Sequence, residues 1–310
     1  MDKNTKIAVL MGGPGSEREV SLVSGKSVAD ALRQGGFTQV TDVDVKGEDI
    51  ILPEGTQLAF NVIHGTFGED GQLQALLEQR GMPYTGAGAQ SSQLAFDKVK
   101  TKKVFIQQSV PTPRSEILDC SNGMRLPTFP LPFVVKPACE GSSVGVHIVT
   151  QGKDILPSMQ DAMKYGKEVL IEEYIKGKEL TVGILEGVAL PVIHISPRSG
   201  FYDLNNKYPW MSQQGGTDYY CPADLSDEVT QRVQKAALAA YQALGIEVYG
   251  RVDVLLSDGD EQPYVLEINT IPGMTPSSLL PKAAKAVGWS FEGLCEKIAE
   301  LSMATLRGNH

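Results

Sequence analysis

Three stretches of this 310-residue chain predict an α/β fold. Near the start, the apolar run Lys6-Ile-Ala-Val-Leu-Met11 passes through Gly12-Gly-Pro-Gly15 into a segment with helical periodicity. Strand, glycine turn and helix open a doubly wound unit, whose ligands gather at the carboxyl ends of its strands. In the middle, Phe133-Val-Val-Lys-Pro137 and residues 146–149 read as strands flanking a small-residue loop. Near the end, residues 249–256 and 264–269 read as two strands that can pair across the turn Ser257-Asp-Gly-Asp260.

Composition bounds the class. Hydrophobic residues make up 42% of the chain and charged residues 21%, as in soluble globular proteins. The length allows two or three packed units. A net charge of −9, from 28 basic and 37 acidic residues, argues against nucleic acid or an anionic membrane as partner. No apolar run is long enough to span a bilayer and no leader is expected, so a cytoplasmic protein is expected. Cys120, Cys139, Cys221 and Cys295 lack CxxC or zinc spacing, which reads as free thiols in a reducing compartment.

The first helix is expected to start with a capping box, Ser16 as N-cap and Glu19 three residues on, and to end near Gly35-Gly36. Glu17 falls in its first turn. It reads either as an acid complementing the helix dipole or as a group facing the crevice. Arg18 stands where a dinucleotide fingerprint needs its last glycine, so that motif is not supported. Residues 58–63 form a second strand, and His64-Gly-Thr-Phe-Gly68-Glu-Asp-Gly71 follows at its end. Position alone leaves His64 open between a structural and a functional role. Residues 71–80 read as a helix, 82–85 as a short strand and 91–108 as one long helix containing Asp97-Lys98. A boundary is placed near residue 95, ahead of the linker-like Val110-Pro-Thr-Pro113.

Lys136 ends the strand 133–137, and Cys139-Glu140-Gly141-Ser142-Ser143-Val144-Gly145 follows. Backbone N–H groups and hydroxyls in such a loop can fold over a polyphosphate, with Lys136 as a point charge. Residues 168–175 and 179–185 read as a hairpin turned at Lys176-Gly177, with Glu172 and Glu179 as candidate exposed edge charges. A strand at 189–195 leads into a long polar segment, 197–220. Its aromatics Phe201, Tyr202, Tyr208 and Trp210 suit a lid.

Ser226 caps a helix whose apolar positions are Val229, Val233, Ala236, Ala237, Ala240 and Leu244. Arg251 and Asp253 share one strand face, as do Glu267 and Asn269, because the side-chain period is two. Paired, these strands would gather Asp253, Glu267 and Asn269 into hard oxygen ligands suited to Mg²⁺ with phosphates. Two carboxylates without a counter-charge would call for a cation. Pro272-Gly273 turns the chain, and Thr275-Pro-Ser277-Ser278 opens a further helix with orphan N–H donors. A last helix is expected over about 291–306.

The order of Lys98, Lys136, the 140–145 loop, the 172–175 stretch, Asp253, Glu267 and Asn269 resembles the ATP-grasp fold. Across nearly its whole length the chain resembles the D-alanine–D-alanine ligase family. The motifs carrying this are Gly12-Gly13 with Glu17-Arg-Glu-Val-Ser-Leu22, His64-Gly with Gly68-Glu-Asp-Gly71, and Glu140-Gly-Ser-Ser-Val-Gly145. Phe201-Tyr-Asp with Lys207-Tyr208, Gly250-Arg-Val-Asp253, and Glu267-Ile-Asn-Thr with Pro272-Gly-Met-Thr275 complete the set. Two departures stand out. Pro14-Gly15 is unusual in the first loop, and the run from Tyr208 to Cys221 is longer than in compact members.

The resemblance implies an N-terminal doubly wound α/β domain (1–95), then a two-lobed ATP-grasp part, with a central lobe (96–185) and a C-terminal lobe (186–310). It implies ATP and two Mg²⁺ ions, replaceable by Mn²⁺, and a homodimer. Lys98 and Lys136 would contact the phosphates, with Glu140, Gly141, Ser142 and Ser143 covering them. Glu172, Glu173, Tyr174 and Ile175 would receive adenine, and Glu179 the ribose. Asp253, Glu267 and Asn269 would hold the metal. Glu17 and His64 would serve the first D-alanine, and Ser142 and Tyr208 would join Glu17 in a lid-closing triad. Arg251 and the Gly273 N–H would form an oxyanion site. Ser278, the Leu279 N–H and Lys207 would hold the second carboxylate. The implied activity is ATP-dependent formation of D-alanyl-D-alanine for peptidoglycan precursors. D-lactate or D-serine is the alternative acceptor, and Tyr208 favours D-alanine.

Overall fold

In the computed structural model, which describes residues 1–47, 49–141, 144–198 and 216–305, three sheets divide the strands. The first is parallel, in the order β2–β1–β3, from Val40–Val45, Ile7–Gly12 and Leu58–Asn61. Every residue of β1 is buried, as befits the central strand of a covered parallel sheet. The edge strand β2 is hard to read from sequence because Asp42 and Asp44 lie on an exposed side, where Arg33 and Arg18 pair with them.

Helix α1 (Arg18–Gln34) lies so close to β1 that a Cβ on Gly25 would come 2.3 Å from the Met11 Cβ. The expected capping box does not form. The helix begins at Arg18, so Ser16 lies one residue outside the N-cap position, and Glu17 occupies it without a side-chain cap bond. Helix α2 is Gln72–Gln79. The helix expected over 91–108 is two, α3 (Ala89–Phe96) and α4 (Lys98–Gln107). Asp97 breaks them by turning extended (ψ 99°), and its carboxylate caps α4 through the Lys100 N–H.

The second sheet is antiparallel, in the order β4–β7–β5–β6: Ser115–Asp119, Glu168–Glu173, Phe133–Pro137 and His147–Val149. Helix α5 (Ile155–Ala162) covers it, with Met159 and Ala162 against Phe133, Val135 and Ile171. The third sheet runs β11–β10–β8–β12–β13, with β9 also on β8. These strands are Thr217–Tyr220, Ile193–Pro197, Gly177–Leu185, Tyr249–Ser257, Pro263–Asn269 and, for β9, Val188–Ala189. Helix α6 (Asp227–Ala243), capped by Ser226, packs Val229, Val233, Ala237 and Ala240 on this sheet's core.

Two expectations fail here. Residues 168–175 and 179–185 are not a hairpin, because β7 already has β4 and β5 on its sides while β8 has β10 and β12. The chain instead crosses between sheets at 174–176. The segment 197–220 is also not all loop, since β10 and β11 pair antiparallel from His194↔Tyr220 to Pro197↔Thr217.

Helices α7 (Leu279–Ala286) and α8 (Phe291–Ala304) return to the first sheet. Leu280, Ala283, Leu294 and Ile298 share one core with Val9, Met11 and Leu32. That packing brings the stretch after β13 against α1 and the loop after β3. Among the described residues no helix is long and apolar enough to cross a membrane.

Candidate active site

A cavity of about 460 Å³ is lined by residues of the second and third sheets. Val134 and Ile148 contribute apolar surface from one sheet, Val146 from the loop before β6, and Leu255 and Leu266 from the other sheet. Residues 172–179, the crossing between the sheets, line it as well, so the predicted adenine and ribose residues Glu172, Glu173, Tyr174, Ile175 and Glu179 share one wall. Lys98, Lys136, Glu140, Asp253 and Glu267 are among its charged lining.

Lys98 is the first residue of α4, and its N–H donates to Ala138 O at 2.9 Å, tying that helix to the loop after β5. Its ammonium lies 3.3 Å from Glu267 Oε2 and also donates to the Glu140 carbonyl. Glu172 is not an exposed edge charge. It is 2% exposed on a central strand, and its two oxygens hold two lysines, Lys136 and Lys102. Lys102, 3% exposed, also donates to Thr112 Oγ1 at 2.6 Å and Pro113 O at 3.0 Å. Burial works to raise the Glu172 carboxyl, but the two lysine charges outweigh it and hold it below the usual range.

Register brings Asp253 opposite Glu267 on β13 and opposite Thr181 on β8, while Arg251 faces Asn269. The Arg251 guanidinium donates to both Asp253 oxygens, at 3.0 and 2.8 Å. Thr181 Oγ1 donates at 2.6 Å and Asn269 Nδ2 at 3.1 Å to the same carboxylate. The predicted ligand set is therefore assembled, but not uncompensated. Arg251 and Lys98 already supply counter-charge, which removes the argument that the carboxylates alone demand a cation. Among the described residues no three His, Cys, Asp or Glu side chains are arranged for a metal. The candidate set is two carboxylates and an amide, whose hard oxygens fit Mg²⁺.

The other candidates meet at the carboxyl ends of β1 and β3. The Glu17 carboxylate comes so near two glycines that a Cβ on Gly65 would lie 2.7 Å from its Oε2, and one on Gly141 3.2 Å. It thus stands beside the loop that carries Glu140. His64 is 5% exposed, with Nδ1 at 2.8 Å from Ile271 O and Nε2 at 3.0 Å from Ser24 Oγ. Burial holds its imidazole below the usual range, against the pull of Glu17. Glu69 accepts the Gly65 N–H at 2.7 Å and the Ile271 N–H at 3.2 Å. Burial, with the Glu17 charge adding, pushes its carboxyl up to about 8. A Cβ on Gly273 would lie 3.0 Å from Ser278 Oγ, and Ser278 precedes Leu279, the first residue of α7. Ser142, Ser143, Lys207 and Tyr208 lie outside the described residues, as do Phe201, Tyr202 and Trp210.

A family model for the D-ala D-ala ligase C-terminus matches residues 113–300, and one for the N-terminus matches 39–87. The chain belongs to the D-alanine–D-alanine ligase family. The ligase of Methylacidiphilum infernorum is 49% identical over 296 residues, 96% of this chain and 95% of that one. The ligase of Syntrophotalea carbinolica is 44% identical over 97% of each chain. Among solved structures, the Bacillus anthracis D-alanine–D-alanine ligase complexed with ATP superposes with a TM-score of 0.84 at 33% identity. It covers 97% of this chain and 98% of that one. The VanG D-Ala:D-Ser ligase from Enterococcus faecalis superposes with a TM-score of 0.82 at 27% identity, covering 96% and 99%.

Within this ligase-family site, sequence reasoning missed Lys102, Thr181, Ser24 and the role of Glu69. Lys102 lies four residues after Lys98, one helical turn away, which is its only local signal. Thr181 becomes visible only through its register with Asp253.

Proposed function

We propose that this chain joins two D-alanines into D-alanyl-D-alanine, converting ATP to ADP and phosphate, in the cytoplasm and as a homodimer. One observation carries the reading. Arg251 is held on Asp253, which lines the inter-sheet cavity, and its charge also acts on His64, which is bonded to Ile271, two residues before Gly273. A nucleotide phosphate and a small amino acid can meet there. In this reading residues 1–95 carry the first-substrate site, while 96–185 and 186–310 close on the nucleotide.

Glu17 binds the ammonium of the first D-alanine and aims its carboxylate at the γ-phosphate. Carboxylate oxygen attacks phosphorus, the bond to ADP breaks, and a D-alanyl phosphate forms. Lys98 and Lys136 neutralise the charge that moves onto ADP, as phosphoryl transfer requires. Asp253, Glu267 and Asn269 would hold Mg²⁺, or Mn²⁺ in its place, which when bound adds further charge neutralisation at the phosphates. Ser278, the Leu279 N–H and Lys207 hold the carboxylate of the second D-alanine. Its amine, having lost a proton, attacks the acyl carbon. Arg251 and the Gly273 N–H stabilise the oxyanion, a contribution worth roughly 3–4 kcal/mol per donor. Phosphate then leaves and the dipeptide remains. The acyl phosphate must be kept from water, a role that suits the segment carrying Tyr208, whose link to Glu17 and Ser142 would close the site.

The test is phosphate release together with product analysis over a panel of D-amino and D-hydroxy acids with ATP and Mg²⁺. D-Alanyl-D-alanine should dominate. No phosphate with D-alanine would sink the ligase reading, and a dominant D-alanyl-D-serine or depsipeptide near neutral pH would replace the acceptor.

A further inference from the structure

The turn after β13, residues 271–274, carries the Gly273 N–H. It has no regular secondary structure, although Ile271 and Met274 are 1% and 0% exposed. Buried backbone groups need partners. Here side chains from the first sheet's side of the molecule provide them. Ile271 N–H donates to Glu69 Oε1 at 3.2 Å. Ile271 O lies 2.8 Å from His64 Nδ1. Met274 N–H donates to Ser24 Oγ at 3.4 Å, and Ser24 Oγ lies 3.0 Å from His64 Nε2.

Burial favours the neutral imidazole, and one proton arrangement of that form satisfies all of these contacts. A carbonyl only accepts, so the His64 proton sits on Nδ1. Nε2 then accepts from the Ser24 hydroxyl, whose oxygen is left to accept from Met274. Both ring nitrogens are engaged, which leaves neither for acid–base work on a substrate. The other Glu69 oxygen takes the Gly65 N–H at 2.7 Å, so one carboxyl group clamps the loop after β3 to the turn after β13.

We propose that Ser24, His64 and Glu69 are positioning residues that hold the 271–274 turn, and with it the Gly273 N–H, where the oxyanion of peptide-bond formation develops. The inference rests on the ligase reading above. A donor helps only when it sits at hydrogen-bond distance from the developing oxyanion. Misplacement by about 1 Å can cost on the order of a hundredfold. The latch should therefore matter to attack by the second D-alanine and not to formation of the acyl phosphate, whose charge is handled by Lys98, Lys136 and the metal-ligand candidates.

Glu69→Leu removes both acceptors at similar bulk, whatever the protonation state of the carboxyl. Ser24→Ala removes the link between His64 and Met274. Scrambling of isotope between the β–γ bridge and β non-bridging positions of ATP, with D-alanine present, reports acyl-phosphate formation. Dipeptide yield reports the second step. Both variants should scramble label within about twofold of the parent, form dipeptide about tenfold or more slower, and release phosphate in excess of dipeptide. Dipeptide rates within about twofold of the parent would overturn the latch. So would equal losses in both half-reactions, or losses that track a fall in melting temperature. If the parent itself makes no dipeptide, the ligase reading fails first. If the parent works and the variants match it, the latch alone fails.

Discussion

Two charged groups flank the inter-sheet cavity, and they are built on opposite plans. Lys102, Glu172 and Lys136 form a closed set, with Lys102 and Glu172 only 3% and 2% exposed. Arg251 with Asp253 and Lys98 with Glu267 form an open set, in which Glu267 keeps 26% exposure. In the first, protein supplies both partners of the carboxylate, and two cations face one anion. The surplus positive charge suits a phosphate at Lys136, and the rigidity keeps that ammonium in place. In the second, pairs at a cavity wall are placed to exchange partners with an incoming ligand. A buried pair is weak evidence of stability in itself, but breaking one is costly. The contrast lies in the glutamates, 2% exposed at Glu172 against 26% at Glu267, because Lys136, Lys98 and Arg251 are alike at 13%, 12% and 12%.

Breaking the closed set should have the largest effect. Glu172→Ala leaves two ammonium groups without their partner and should lower unfolding free energy by about 3–5 kcal/mol, read by denaturant melts. A loss under about 1 kcal/mol would mean the pair behaves as a surface one. Glu267→Gln in the open set should leave the melting curve nearly unchanged. It should cut turnover on the order of a hundredfold, with partial recovery at high Mg²⁺. Near-normal phosphate release at limiting Mg²⁺ would remove Glu267 from the metal set.

Opposite pH signs sharpen the contrast between the two glutamates. Glu172 is held below its unfolded value near 4.5, so its stabilisation is present above that pH and is lost as pH falls below it. Glu69 is raised from 4.5 to about 8, so its relative stabilisation is full at low pH and is lost as pH climbs through that window. The melting-temperature deficit of Glu172→Gln should therefore shrink from pH 6 down to about pH 3, and that of Glu69→Gln from pH 5 up to about pH 9. Parallel trends for the two variants would refute the assignment. The smallest effect is expected at the exposed pair Arg114–Glu173, bonded at 2.8 and 2.9 Å. Arg114→Ala should change stability by less than about 1 kcal/mol and weaken with salt.

Much of the site was legible because strand periodicity is local. Arg251 with Asp253, and Glu267 with Asn269, follow from spacing alone, and pairing of two adjacent strands brought them together. Lys98 was legible through family motifs, but its place at the head of a new helix depended on Asp97 breaking the run. The 172–185 stretch misled because a Lys-Gly turn looks the same whether the next strand returns or joins another sheet. From its own stretch Glu172 reads as a candidate edge charge, and only the family resemblance places it at adenine, since nothing nearby in sequence reveals that Lys102 and Lys136 converge on it. Glu69 was visible only as one acid among glycines.

The sequence by itself determined the local elements, the order of the motifs and the family, because propensity, side-chain period and turn chemistry act over a few residues. Tertiary structure alone decided which charges are closed and which are open. It also decided that Glu17 reaches Gly141, and that Ser24, His64 and Glu69 grip a turn more than 200 residues away. Those outcomes depend on how three sheets and their helices bury apolar faces against one another. A carboxylate's partners, and so its chemistry, follow from what that burial leaves within reach.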